Sequence, residues 1–552
     1  MESVSASSSG QVSGREWLWV VIFAALVMAL TTIPYLIAGS RGDVDWVFGG
    51  FVYGVEDGHS YLGKMRLGAR GQLDFHLFYT PESHDPAPLI FLSYLLPGWI
   101  VGRLIAPTDP ALTPTLIVVF HGLRVVFGAG LIAVVYLFAA RFLHETRPRR
   151  LATVLATFGG GFGWLLLLSG TPDLYGTPPP EFFIPEGFSW MILLGIPHLA
   201  LARLALLGGL LTLLTAARRE RWVGWSIGAA ACWCVMGATV PFYLAIVYTV
   251  VGAWGIAAWI GERRFPVALF VRAMSACGLT LPLFAYYTLT FAGNPAFAVW
   301  SAQNVLASPA PILYLLAYAL IGLLALLSAR LVWRLGGAHR LLVAWVIVVP
   351  ILVYLPINVQ RRMSEAVIVP LAILAAFTLT RTRPLLRAPL VILMTASSAV
   401  LLFVALLSAA RGGTPDSNLF RRADDVAAFA WLSANADLDT LILSAVPTGN
   451  ALPAYSDLRT VMGHGPETLF WRDKTVQVER FYGGTMSAPE RRALLDRPCA
   501  PDFQCDAVRY IYYGQSERAL AGIADANAWI RDPGVGMVYD QEGVQIYRYA
   551  PP

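Results

Sequence analysis

From residue 17 onward the chain repeats one pattern, a long apolar run followed by a short polar break. Runs close to the roughly 17 to 25 residues that cross a bilayer fall at 17–39, 115–140, 150–169, 194–216, 222–240, 242–260, 267–291, 310–333, 340–358, 366–380 and 389–410. They predict eleven membrane-spanning helices. A further run, 89–106, is shorter, is broken by Pro97-Gly98 and carries Arg103. It predicts an interfacial or re-entrant helix, the alternative being a twelfth span. After 410 the pattern changes. Helices are expected at 421–435, 473–482 and 487–496, strands at 439–446 and 507–514, and a hairpin over 535–549. The expected architecture is an all-α polytopic membrane bundle over 1–410, with a large first loop at 40–114, and a small soluble α/β domain at 411–552.

Composition narrows the class. The 552 residues are 57% hydrophobic and 14% charged, where soluble domains carry roughly 25% charged residues. A soluble enzyme and a disordered scaffold are both excluded. The first apolar run is too long for a signal-peptide core and reads as a retained anchor.

Charge gives orientation. Residues 1–410 hold 26 basic and 17 acidic side chains, and residues 411–552 hold 14 and 18. Almost all the basic residues are arginine; only Lys64 and Lys474 are lysines. The arginine clusters at 141–150, 218–221, 263–264, 330–340 and 381–387 all fall on one side if the N-terminus is cytoplasmic, as the positive-inside bias requires. The loops 170–193 and 292–309 contain no Lys or Arg. The C-terminal domain then lies outside the membrane, which for a bacterium is the cytoplasmic membrane. The basic surplus is explained by topology and implies no nucleic-acid partner.

No acidic residue before 411 falls inside a predicted span, and eight of the 17 lie between Asp43 and Asp109. Ion-coupled transporters bury carboxylates as relays, so this distribution counts against one and points to the outer face. In the first loop, VEDGHSYLGKMRLGARG (55–71) places Tyr61, Leu62, Met65 and Ala69 on one helical face and Glu56, Ser60 and Lys64 on the other. It reads as an amphipathic helix lying on the membrane with Glu56-Asp57 at its N-terminus. The pair either compensates the helix dipole or supplies a carboxylate base. YTPESHDPAP (79–88) gathers Glu82, His84 and Asp85, as a divalent-metal site (Mg or Mn) or as a polar turn. In NVQRRMSEAVIVP (358–370), Arg361 and Arg362 break the positive-inside pattern. They suit phosphate recognition beside a helix start or contact with anionic headgroups. His121 with Arg124, and His198 with Arg203, are site or buried structural residues.

Weaker signals remain. FGGGFGWLL (158–166) suggests close helix packing, and Cys232 and Cys234 read as core residues. Cys499 and Cys505 bracket five residues, which admits a disulfide or two thiols. In the C-terminal domain Asn450, His464 and Glu467 either touch an acceptor or, as we favour here, seal loops.

The segments EDGHSYLGKMRLGARG, FHGLRVVFGAG, GIPHLALA, NVQRRMSEAVIVPLAILAA and TGNALPAYSDLRTVMGHGPET, with the organisation of the whole chain, resemble GT-C type glycosyltransferases. These polytopic enzymes use polyprenyl-phosphate-linked sugars. The acidic pair common in related transferases is Asp-Glu, here reversed as Glu56-Asp57. The resemblance implies Asp57 or Glu56 as the base and Arg361, Arg362 and Arg124 as phosphate-binding residues. His59, Glu82, His84, Asp85 and His198 would serve the acceptor or a metal. The implied partners are a lipid-linked sugar donor and a glycan, lipid or protein acceptor. The competing classes are a transporter or flippase for lipid-linked glycans and a non-catalytic assembly protein.

Overall fold

A computed structural model describes residues 11–414, 417–521, 527–541 and 543–551. The chain divides into two compact units: residues 1–33, 121–287 and 306–407, and residues 34–120, 288–305 and 408–552.

The first unit is helical. Helices occupy all eleven predicted runs, but they are unequal. Among the described residues seven are long and apolar enough to cross a membrane, and the pair Val267–Gly278 and Leu281–Gly293, bent by 43°, makes a possible eighth. Val223–Thr239 and His339–Leu352 are shorter apolar helices. The run 150–169 is divided between Thr146–Phe158 and Gly163–Leu168. The glycines between them explain the break: a Cβ on Gly161 would stand 2.0 Å from the carbonyl oxygen of Leu316. The buried Glu181 carboxylate accepts from the amides of Gly161 (3.2 Å) and Gly163 (2.8 Å) and satisfies the interrupted backbone. Elsewhere small residues allow close packing. Gly209 makes room for the Trp233 indole, whose Nε1 donates to Leu206 O at 3.4 Å.

Two carboxylates immediately before predicted spans are buried in this unit. Glu16, in helix Gly14–Gly39, accepts from Arg149 (2.8 Å) and Tyr136 (2.6 Å). Glu365, in the apolar segment Gln360–Leu379, accepts from Arg203 Nε at 2.6 Å and from Tyr243 at 2.6 Å. Their arginines are 133 and 162 residues away, so hydropathy read along the chain does not see the pairing that makes burial tolerable.

The second unit combines the first-loop residues with the C-terminal region. Helix Val55–Ala69 crosses helix Leu92–Gly102 in backbone contact: a Cβ on Gly98 would stand 1.9 Å from Met65 O, and one on Gly68 2.0 Å from Leu95 O. At eleven residues, Leu92–Gly102 is about 16 Å long, half the roughly 30 Å hydrocarbon core. A five-stranded sheet runs in the order Arg459–Thr460, Leu441–Leu443, Tyr510–Tyr513, Val544–Tyr549, Val535–Gln541. The first three strands are parallel and the last two form the antiparallel hairpin. Helices Val446–Tyr455, Trp471–Tyr482 and Ala488–Asp496 accompany it. One core gathers Phe481, Tyr482, Ile511 and Trp529. Residues 78–83 follow the sheet edge, with Thr460 N donating to Phe78 O at 3.0 Å and Ser83 N to Gln504 O at 2.7 Å. Cys499 and Cys505 form a disulfide.

Candidate functional site

The site is built on the N-terminal half of helix Val55–Ala69. Gly54 precedes it in the left-handed conformation (φ 59°), which lets the chain turn sharply into the helix. Glu56 and Asp57 fall in the first turn, where the helix dipole favours negative charge. The helix does not lie on a surface with its polar face in water. Twelve of its fifteen residues are buried, Ser60 and Lys64 among them.

Lys64 is fully buried because a partner 403 residues away neutralises it. Its Nζ donates to Glu467 Oε1 at 2.7 Å and to Ser60 Oγ, and Ser60 Oγ donates to the same carboxylate oxygen at 2.8 Å. Burial pushes the Lys64 amine down, against the pull of Glu467. Glu467 in turn faces His464, whose Nδ1 lies 3.4 Å from Oε1, a charge contact rather than a hydrogen bond. The other imidazole nitrogen, Nε2, donates to Asp57 Oδ1 at 3.1 Å. Lys64, Glu467, His464 and Asp57 thus form one alternating chain of charge. Its first three members are at most 5% exposed at the side chain, and Asp57 is 55% exposed.

Burial opposes charge on His464, but the hydrogen bond to Asp57 and the Glu467 carboxylate outweigh it and raise its pKa to about 9. Burial also opposes charge on Glu467, and Lys64 followed by His464 overrides it, leaving a pKa of about 2. At neutral pH His464 therefore carries a positive charge and Glu467 a negative one. A half-exposed carboxylate in contact with a buried imidazolium can accept a hydrogen bond or a proton from a bound hydroxyl.

Neighbouring groups fix this arrangement without charge of their own. His59 is buried, with Nδ1 2.9 Å from Asn450 Oδ1. Burial first, then Arg421, lowers its pKa to about 3 and keeps it neutral. Asn450 Nδ2 donates to Glu56 O at 3.1 Å, and Tyr79 OH donates to Asn450 O at 2.8 Å.

Glu82 and Lys474 form a buried ion pair at 2.5 Å, and Ala500 N donates to Glu82 Oε1 at 3.1 Å. His84 accepts from Leu77 N at Nε2 (2.9 Å), and its Nδ1 lies 2.8 Å from Glu82 O. Asp85 is exposed, and its carbonyl accepts from Asn294 Nδ2. Among the described residues no group of three or more His, Cys, Asp or Glu side chains is arranged to hold a metal. The chain's only two lysines are thus both buried, each against a glutamate of this unit.

No protein-family model matches the chain, and no curated protein matches it. Solved structures do. It is similar to the oligosaccharyltransferase AglB of Archaeoglobus fulgidus, solved with an inhibitory peptide and a dolichol-phosphate: TM-score 0.52, 13% identity, over 98% of this chain and 75% of that one. It is similar to ArnT from Cupriavidus metallidurans in the apo state: TM-score 0.50, 13% identity, over 97% and 98%. The arabinofuranosyltransferase AftD from Mycobacteria gives TM-score 0.54 at 15% identity, over 98% of this chain but 40% of that one.

The chain has the GT-C fold.

In the helical unit of this GT-C fold, the arginines singled out by sequence differ in character. Arg361 and Arg362 stand in the short 3-10 turn Gln360–Ser364, both partly exposed. Arg361 lies over the Phe183 ring at 5.1 Å, and Arg362 Nε is 3.3 Å from Glu186 Oε1. The fully buried Arg203 holds this region in place: its Nε and Nη2 donate to Glu365, and Nη2 also donates to the carbonyls of Pro185 and Glu186. Arg124 is buried too, donating to Thr31 (2.8 Å), Thr32 (2.7 Å) and Leu193 O (3.2 Å), with His121 Nδ1 at 3.3 Å. It ties helices together. His198 is half-buried in the first turn of Pro197–Ala216. Sequence reasoning favoured a loop-sealing role for His464 and Glu467 and gave Lys64 none beyond a polar face. The missed signal was the rarity of lysine in an arginine-rich chain.

Proposed function

We propose that the chain is a membrane glycosyltransferase that moves a sugar from a polyprenyl-phosphate-linked donor to an acceptor on the outer face of the membrane. The GT-C fold supports the class, and a dolichol-phosphate lies in the AglB structure named above. The observation that carries the reading is Asp57, an exposed carboxylate backed by buried His464, Glu467 and Lys64.

In this reading Asp57 is the base. The acceptor hydroxyl gives its proton to the Asp57 carboxylate as its oxygen attacks the anomeric carbon. The bond from that carbon to the phosphate oxygen breaks, and polyprenyl phosphate leaves with the electron pair. A single displacement inverts the anomeric centre. The donor's phosphate is already a good leaving group, so the protein needs to orient, deprotonate and supply positive charge. Arg361 and Arg362 are our candidates for contact with a lipid phosphate. Glu56, beside Asp57, remains a secondary candidate.

The test is reconstitution of the purified chain in liposomes with a panel of polyprenyl-phosphate-linked hexoses and pentoses, with and without a divalent cation. Transfer of labelled sugar to an acceptor supports the reading. Movement of the labelled lipid between leaflets without transfer would assign the chain to lipid translocation instead.

A further inference from the structure

We propose that His464, clamped between Asp57 and Glu467, is the positioning residue that orients the Asp57 carboxylate and holds it ionised for proton transfer. The inference rests on the glycosyltransferase reading and names the residues that would make its base competent. Asp57 stands at a helix N-terminus with an exposed side chain, and by itself that is an ordinary capping arrangement. Three observations separate it from one.

The first is geometric. His464 reaches Asp57 Oδ1 with Nε2 and turns Nδ1 toward Glu467, so both ring nitrogens face carboxylates. A ring placed this way is favoured as the imidazolium by the two carboxylates, and its Nε2 fixes one oxygen of Asp57 at 3.1 Å while Nδ1 makes a charge contact with Glu467 at 3.4 Å. The second is burial. His464 and Glu467 are each 4% exposed, and Lys64 is at 0%. Burying these charges costs several kcal/mol each unless they are paired, and a surface carboxylate needs no such support to cap a helix. The third is the surroundings. His464 meets Asp57 from the first-loop helix and Glu467 from its own loop, with Tyr79, His59 and, acting on those two, Arg421 in the surroundings. The Tyr79 ring lies 5.8 Å away, and Tyr79 and His59 are both neutral at physiological pH. Lys64 is bound to Glu467. The imidazolium therefore has two charged contacts, one on each side.

The consequence for a general base is specific. A cation in hydrogen-bond contact favours the carboxylate over the carboxylic acid. The same contact sets the orientation of Asp57 before the acceptor arrives. His464 accepts no proton itself, since both nitrogens already carry one; the proton taken from the acceptor remains on Asp57 until it exchanges with water.

The experiment compares pH profiles of sugar transfer by the full chain in liposomes, for wild type, His464→Gln, Glu467→Gln and Asp57→Asn. The probe is whichever polyprenyl-phosphate sugar of the panel wild type uses. For His464→Gln we expect kcat to fall, the donor KM to hold, and the acid limb to move up by about 1 pH unit. Glu467→Gln should move it the same way by less. An acid limb that coincides with wild type, with Asp57→Asn inactive, overturns the role of His464 and leaves the base intact. No transfer by wild type, or full transfer by Asp57→Asn, removes the reading beneath it and this inference with it. If His464→Gln does not fold, ¹⁵N-histidine resonances of the wild-type chain give the answer. An imidazolium that persists above pH 8 and titrates lower in Glu467→Gln is expected. Titration of His464 near the ordinary histidine value in wild type overturns the proposal.

Discussion

The charge chain makes a quantitative prediction about stability and pH. Consider His464→Gln, with stability followed from pH 6 to pH 10. Folding raises the His464 pKa from about 6.5 to about 9. Its contribution to stability is fully present below the unfolded value and is lost as pH rises through the folded one. Each unit is worth about 1.4 kcal/mol, so wild type should lose about 3 kcal/mol more than the variant between pH 6.5 and pH 9.5. Lys474 runs the other way. Burial, partly offset by Glu82, lowers its pKa to about 8, so the folded state releases its proton first and stability climbs above pH 8. Lys474 is present in both proteins, and the difference between them cancels it. For a cooperative unit of about 150–250 residues, 3 kcal/mol corresponds to about 6 to 12 °C in Tm. The assay is thermal unfolding in detergent micelles, read as the wild-type minus variant Tm at each pH. The gap should close steadily between pH 6.5 and pH 9.5. A gap that stays constant with pH would show that His464 folds without gaining a proton-dependent partner, and the reasoning would fail.

Other expectations are simpler. Glu82→Gln leaves Lys474 buried without its countercharge and should cost about 3–5 kcal/mol, while Glu82→Gln with Lys474→Met should recover most of it; denaturation of the three proteins decides. Gly98→Ala sets a Cβ 1.9 Å from Met65 O, so the two first-loop helices must separate, at the upper end of about 1–3 kcal/mol. Gly122→Ala, with nothing within 4 Å, is the control and should be neutral or stabilising by helix propensity in the same melting assay. If Arg361 contacts the lipid phosphate, Arg361→Ala should raise the donor KM by roughly 10-fold or more, the worth of one charge-assisted hydrogen bond, with the acid limb of the pH profile unmoved.

The apolar runs were legible because hydropathy is local: each is helical near its expected place, although 150–169 and 267–291 each fold as two helices, and the hairpin at 535–549 and the strands at 441–443 and 510–513 followed their β-rich stretches. What local reading missed was the partner. Lys64 looked like the wet face of a surface helix until Glu467, 403 residues on, entered its neighbourhood. Glu365 looked like a loop residue at the edge of a span until Arg203 closed on it. The glycine run at 158–163 suggested a packed span and instead interrupts a helix, because its amides are met by Glu181, 18 to 20 residues away. The His464–Asp57 contact joins residues 407 apart. Chemistry built from long-range pairs is written in the fold.

The most direct test of the central claim is sugar transfer by Asp57→Asn in liposomes, beside wild type at equal incorporation and equal melting behaviour. Asn keeps the shape and can still receive the His464 hydrogen bond, but it cannot take a proton. A loss of kcat by about 10²–10⁴, the usual contribution of a general base, with the donor KM little changed, is the predicted result. Transfer at the wild-type rate would contradict it and return Asp57 to the role of a helix cap.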